Sequence, residues 1–270
     1  MPFINNQGIN LHYKTEGHGP AILCHHGVGT SMESWSKLDL SALKEQYQFI
    51  FIDSRGHGQS DKPHQDEAYD YRALLSDIIA LLDHLHLDQI HYWGYSMGGK
   101  LGYALAQHHP ERLQSLIIGG ATSFDIPDSI AAAKRILPIL EVGAEGGVAA
   151  VVEKRSAMGI ITSKSYRAWL EESDLKSMAA IVRHRATNLL DFRDVLTAIT
   201  VPCLIYAGHF DQPIHLMSEE EARRIPNSTF VSLPDLDHAG AEVAGDLILP
   251  EVMPFLKAFS CVDVDMKSEE

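Results

Sequence analysis

The segment His91-Tyr92-Trp93-Gly94-Tyr95-Ser96-Met97-Gly98-Gly99 places an apolar strand-like run, a Gly-x-Ser-x-Gly turn and the start of a helical pattern side by side. Its glycines Gly94 and Gly98 permit a sharp turn that passes close to neighbouring chain with no Cβ in the way. Ser96 is therefore expected at the apex of a strand-to-helix turn, its hydroxyl exposed above the end of a sheet. The pattern alone is weak, since a chance match in a chain of this length has odds on the order of 0.1. The strand before it and the helix after it supply the specificity. Ser96 is the candidate nucleophile.

A serine hydroxyl is a poor nucleophile until a base takes its proton. Of the 15 histidines, His238 stands out in Leu233-Pro-Asp-Leu-Asp-His-Ala-Gly240. It directly follows the last predicted strand, where a loop can return to the serine turn. The base in turn needs a carboxylate to fix its tautomer and stabilise the imidazolium. Asp211, in Ala207-Gly-His-Phe-Asp-Gln-Pro213, follows a strand-like run and is the expected acid. The chain order Ser96, Asp211, His238 is the one such strand-turn-helix sites use. Asp125, after the strand that ends at Ile118, is a rival acid. Asp237 is a weaker one, because loop neighbours seldom meet with the needed geometry. The backbone N–H of Met97 is expected to donate to an oxyanion. A second donor is expected from Val28 in His25-His26-Gly27-Val28-Gly29, and losing one such donor typically costs about 10²–10³ in rate.

Outward from this segment, short apolar runs alternate with helix-period stretches, which predicts a mostly parallel sheet with helices on both faces. Ile9 to Lys14 alternates and reads as an edge strand. Ala21 to Cys24, Phe49 to Ile52, Ile90 to Trp93, Leu113 to Ile118, Pro202 to Tyr206 and Thr229 to Ser232 read as further strands. Leu74, Leu75, Ile78, Leu81, Leu82 and Leu85 form one apolar helix face. The rhythm breaks over 122–196, a helical stretch without a convincing strand, which predicts a cap over the sheet's C-terminal edge. Pro138 is expected to end or kink its first helix, and Pro250 and Pro254 to break or delay the last one. The expected division is a body of residues 1–121 and 197–260, a cap at 122–196 and an acidic tail at 261–270. Apolar cap residues (Ile136, Leu137, Ile139, Leu140, Val142, Met158, Ile160, Trp169 and Met178) are candidates to line an acyl pocket.

The chain has 270 residues, with 22 Lys and Arg against 36 Asp and Glu, a net charge of −14. That balance argues against nucleic acid and anionic membrane surfaces as partners. The cap carries ten basic and ten acidic residues, so its mouth reads as charge-balanced, suited to a neutral or apolar substrate. Three cysteines make no disulfide framework and suit a reducing compartment. The N-terminus shows no signal-peptide pattern and no run approaches the roughly 20 apolar residues of a membrane span. A cytoplasmic monomer or small homo-oligomer acting on a small acyl substrate is expected. His pairs occur, but no ligand-spaced carboxylate or cysteine set accompanies them, and no dinucleotide fingerprint is present. No metal and no cofactor are expected.

With these pieces in hand, the chain resembles the α/β-hydrolase fold superfamily, as a serine-nucleophile, carboxylesterase-like member with a helical cap. The resemblance rests on His26-Gly27, Trp35, Asp53-Ser-Arg-Gly-His-Gly-Gln-Ser60, Gly94-Tyr-Ser-Met-Gly98, Gly208-His-Phe-Asp211 and Asp237-His238. It covers nearly the whole chain outside the cap, and it implies that Asp53, Arg55 and Ser60 are structural. Many relatives have glycine before the histidine, where this chain has Asp237. A serine nucleophile counts against the dehalogenases and epoxide hydrolases of this fold. The resemblance implies a small neutral or apolar carboxylic ester as substrate. It leaves carbon–carbon bond hydrolase, enol-lactonase and cofactor-free perhydrolase on the same triad, and from another class a small-ligand receptor.

Overall fold

The computed structural model describes residues 2–260, so the acidic tail and Cys261 lie outside the described residues. Its strands are β1 (Phe3–Asn6), β2 (Ile9–Gly17), β3 (Ala21–His25), β4 (Gln48–Ile52), β5 (Ile90–Tyr95), β6 (Leu113–Gly119), β7 (Cys203–Gly208) and β8 (Ser228–Leu233). They form one sheet in the order β1-β2-β4-β3-β5-β6-β7-β8. β2 pairs antiparallel with β1 and β4, and every later pairing is parallel. Ile9–Gly17 is therefore the second strand, and the edge belongs to β1. The short β1 carries little signal in the sequence because its outward residues are polar or exposed and only two of its four side chains are buried.

The helices are α1 (Ser41–Lys44), α2 (Tyr71–His84), α3 (Met97–His108), α4 (Pro127–Ala157), α5 (Lys164–Glu172), α6 (Leu175–Thr187), α7 (Ile214–Arg224), α8 (His238–Glu242) and α9 (Gly245–Ser260). Strand side chains alternate between two cores, as a sheet covered on both faces requires. Leu23, Ile50 and Ile52 meet the buried leucines of α2 and α3, whereas Ile22, Cys24, Phe49 and Phe51 meet Ile248, Val252 and Leu256 of α9. Cys24 and Cys203 are free and buried. α4, α5 and α6 run consecutively between β6 and β7 and share a third core built on Ile139, Leu140, Val151, Leu170 and Met178.

Two proline expectations are corrected. α4 passes through Pro138 and breaks instead at Gly147, the one residue inside it with non-helical torsions (φ 70°, ψ −166°). Burial of Ile139, Leu140 and Gly143 against α6 holds the helix across the proline, since packing outweighs local propensity. α9 likewise contains both Pro250 and Pro254 without interruption. Both prolines face solvent, and the buried stripe Ile248, Val252, Leu256 carries the helix past them. No helix among the described residues is long and apolar enough to cross a membrane.

Candidate active site

Ser96 sits between β5 and α3 with φ 51° and ψ −105°, a backbone conformation that L-residues rarely adopt. Such a torsion costs on the order of 1–3 kcal/mol and persists only where the surroundings over-determine it. Here they do so through the backbone. Ser96 N–H donates to Gly119 O (2.8 Å), Gly98 N–H to His26 O (3.2 Å) and Lys100 N–H to Ser96 O (3.0 Å). The flanking glycines are needed for close approach: a Cβ on Gly94 would strike the Gly98 carbonyl, and one on Gly98 the His25 carbonyl. Tyr92 adds a strut, its hydroxyl donating to Gly98 O (2.8 Å) while lying 3.0 Å from His25 Nδ1.

The Ser96 hydroxyl lies 3.0 Å from His238 Nε2, and His238 Nδ1 lies 2.6 Å from Asp211 Oδ2. Asp211 is 7% exposed and follows β7, two strands from the serine in the sheet. His238 opens α8 and its side chain is 40% exposed, so it is reachable from the cavity side. The rival acids are engaged elsewhere. Asp125 accepts from Lys100 Nζ (2.7 Å) and the Leu190 amide (2.8 Å). Asp237 caps α8, its side chain accepting from Gly240 N–H at 2.8 Å. The carboxylate beside the histidine is thus a helix cap.

Met97 follows Ser96 in the chain, and the loop carrying Val28 packs against the serine. A Cβ on Gly27 would meet Ser96 Cβ at 3.3 Å, which places the Val28 loop against the nucleophile. Among the described residues neither the Val28 nor the Met97 amide has a protein acceptor. Met97 also opens α3, so the positive end of the helix dipole reinforces its N–H.

Several residues hold this loop, two of them, His26 and His57, inside segments that the sequence marks only as part of the fold's pattern. Burial keeps His26 and His57 below the usual histidine range, His57 at about 3, so both are neutral near pH 7. His57 Nε2 accepts from Gly29 N–H (3.0 Å) while its Nδ1 donates to Arg55 O (3.1 Å). His26 Nε2 accepts from Ser54 N–H (3.1 Å). From α5, Trp169 Nε1–H donates to Gly29 O (2.6 Å). The loop that carries Val28 is thus clamped from the body by His57 and from the insertion by Trp169. Tyr95, raised in pKa by burial and so a persistent donor, donates a hydrogen bond to His238 O (2.5 Å). Its position beside Ser96 in the motif was the only available signal.

Asp53 accepts from Met32 N–H (2.9 Å) and Gln59 N–H (2.9 Å), and Arg55 makes a two-pronged pair with buried Asp77 (2.7 Å each). Both brace turns. Ser96, Met97, Val28 and His238 all face one cavity of about 860 Å³ between the sheet's C-terminal edge and α4–α6. That is within the usual range for small-molecule sites. Of the nine apolar insertion residues, Leu137 and Val142 do not line it; Leu137 packs into the insertion's own core. No group of His, Cys, Asp and Glu suited to a metal occurs among the described residues.

Trp169→Phe keeps an aromatic ring against Tyr166 but removes the N–H to Gly29. A net hydrogen-bond contribution of about 1 kcal/mol predicts a roughly fivefold fall in kcat with KM little changed. Steady-state kinetics with a thermal melt checks this: a lowered Tm with unchanged kcat reduces Trp169 to a packing residue.

A family model described as alpha/beta hydrolase fold matches residues 20–244. The chain is 30% identical over 210 residues to 3-oxoadipate enol-lactonase 2 of Acinetobacter baylyi, covering 76% of this chain and 77% of that protein. It is 27% identical over 280 residues to a non-heme haloperoxidase of Rhodococcus erythropolis, covering 96% and 100% of the two chains. Among solved structures, a thermophilic esterase from Thermogutta terrifontis aligns with a TM-score of 0.77 at 24% identity, covering 96% and 97%.

Proposed function

Because the chain belongs to the α/β-hydrolase fold family, as a hydrolase acting on ester bonds, we propose that it cleaves a small carboxylic ester through Ser96, His238 and Asp211. The reading rests on one observation: Ser96 Oγ, His238 and Asp211 form a continuous chain of 3.0 and 2.6 Å contacts that opens onto a cavity. His238 Nε2 takes the Ser96 proton as Oγ attacks the ester carbonyl, and Asp211 stabilises the imidazolium. The carbonyl oxygen becomes an oxyanion that accepts from the Val28 and Met97 amides. His238 then protonates the departing alkoxide. Water, activated by the same histidine, attacks the acyl-enzyme and frees Ser96. No step calls on a metal or cofactor.

In this reading residues 1–121 and 197–260 are the catalytic body and 122–196 a lid that supplies the apolar acyl wall. The protein acts in the cytoplasm on a small acyl substrate, with neither nucleic acid nor membrane as partner. An enol-lactone is the second substrate reading, favoured by the relative of that activity at 30% identity. A lactone is an internal ester and uses the same steps.

A fluorophosphonate probe with intact-mass and peptide mapping, followed by turnover of an ester and lactone panel, tests the proposal. One adduct on Ser96, with hydrolysis of at least one panel member, is expected. Labelling without turnover of any acyl substrate points to a ligand receptor, and labelling elsewhere removes Ser96 as nucleophile.

A further inference from the structure

The cavity beside Ser96 is lined by five cationic side chains, Arg55, Lys100, Arg135, Arg155 and Arg185, and among the described residues by no Asp or Glu. This occurs in a chain of net charge −14 and against an insertion with ten residues of each sign. The insertion's charge is thus balanced in sum but not in space: three of its bases reach the cavity and none of its acids does.

Most of these cations are already engaged. Arg55 is held by Asp77 and Lys100 by Asp125. Arg155 lies 4.4 Å from the Tyr166 ring and donates to Thr162 and the Ile161 carbonyl. Arg185 differs. Half-buried on α6, it has no ion pair and no hydrogen bond among the described residues, and it lies near enough to Lys100 to disfavour that charge. Its place on the helix is unusual too. Met178, Ile181 and Val182 line the cavity at the three- and four-residue spacing of one helix face, and Arg185 is the next position on that stripe. An arginine on the inward apolar face, without a carboxylate, leaves a forked donor aimed into a largely apolar space.

We propose that Arg185 is the carboxylate-binding residue of this cavity, so that the substrate is an ester or lactone whose acyl chain carries a free carboxylate. The proposal rests on the ester-hydrolase reading for its reaction and on Arg185 for its specificity. A guanidinium pairs with a carboxylate through two parallel N–H···O bonds, which orients the chain as well as holding it. Arg135 and Arg155, which have no carboxylate partner among the described residues, add a local positive potential, whereas Arg55 and Lys100 are neutralised by Asp77 and Asp125. The apolar lining then contacts the methylenes between the two carboxyl groups.

The test compares p-nitrophenyl pentanoate with mono-p-nitrophenyl glutarate, a neutral and an anionic ester of the same acyl length. Wild-type protein is expected to favour the anionic ester in kcat/KM by about tenfold or more, chiefly through KM, the scale of one charge-assisted contact. Arg185→Gln brings that ratio towards one, Arg185→Lys restores part of it, and added salt reduces it. A wild-type ratio at or below one, or a ratio unmoved in Arg185→Gln, overturns the proposal. A second arm uses calorimetry on Ser96→Ala protein, where glutarate should bind about tenfold tighter than glutaramide and Arg185→Gln should erase the difference. Preferential glutarate binding with neither ester cleaved sustains the carboxylate site and removes the esterase reading. Cleavage of both esters at equal efficiency, with glutarate no better than glutaramide, removes the carboxylate site alone.

Discussion

Ser96→Ala is expected to abolish ester hydrolysis and to leave the protein folded. The Ser96 hydroxyl makes a single side-chain hydrogen bond, to His238 Nε2, and the turn is held by backbone bonds and the Tyr92 hydroxyl, none of which uses the serine side chain. Alanine keeps the Ser96 N–H bond to Gly119 and the carbonyl bond from Lys100, and it tolerates φ 51° no worse than serine does. Stability is therefore expected within about 1 kcal/mol of wild type, as for a substitution that opens no core cavity and breaks no buried network. The chemical loss is of another order. Without a nucleophile only substrate binding and the oxyanion donors remain, and removal of a triad serine costs about 10⁶ in kcat. Kinetics beside a thermal melt and near-UV circular dichroism reads both halves. Residual activity above about one per cent, after exclusion of contaminating esterase, removes the nucleophile assignment.

Asp211→Asn is expected to lower kcat by about 10⁴, with the substrate KM nearly unchanged. His238 Nδ1 lies 2.6 Å from a carboxylate that is 7% exposed, so the partner charge acts in a weakly screened site. An amide at that position either donates to the ring nitrogen, forcing the tautomer that cannot accept the serine proton, or accepts without stabilising the imidazolium. The control is Asp125→Asn. That carboxylate pairs with Lys100 and caps the Leu190 amide, so its loss leaves a largely buried ammonium without its partner. Its expected signature is a lower Tm with kcat within about tenfold of wild type. A 10⁴-fold loss in Asp125→Asn with Asp211→Asn spared would exchange the two roles.

The parts of the site that were legible in the sequence are those whose physics is local. Gly94 and Gly98 announce a close-packed turn because only a missing Cβ permits the approach of Gly98 to the His25 carbonyl. The strands announce themselves because residues buried on both faces must be apolar without interruption. Where the sequence misled, a local rule met a stronger packing force. Pro138, Pro250 and Pro254 each break an isolated helix, yet each sits on the solvent side of a helix whose other face is buried.

The two carboxylates mark the boundary. From sequence, Asp125 and Asp211 both follow strands, with Asp211 the expected acid and Asp125 its rival. Lys100, four residues after the serine, captures the first, while the return of α8 brings His238 to the second. The clamp on Gly29 depends likewise on His57 and Trp169, which are 112 residues apart and meet only through the fold. Charge shows the same division. The count of ten bases and ten acids in 122–196 is a property of the sequence and predicts a neutral mouth. Which of those side chains face the cavity depends on how α4 and α6 dock against the sheet, and that docking turns Arg185 inward. Sequence alone determined the elbow, the alternating sheet and the candidate triad, since torsional freedom and hydrophobic period act within a few residues. The pairing of His238 with Asp211, the clamped donor loop and the sign of the cavity wall belong to tertiary structure, because each depends on the direction of side chains brought together from distant positions.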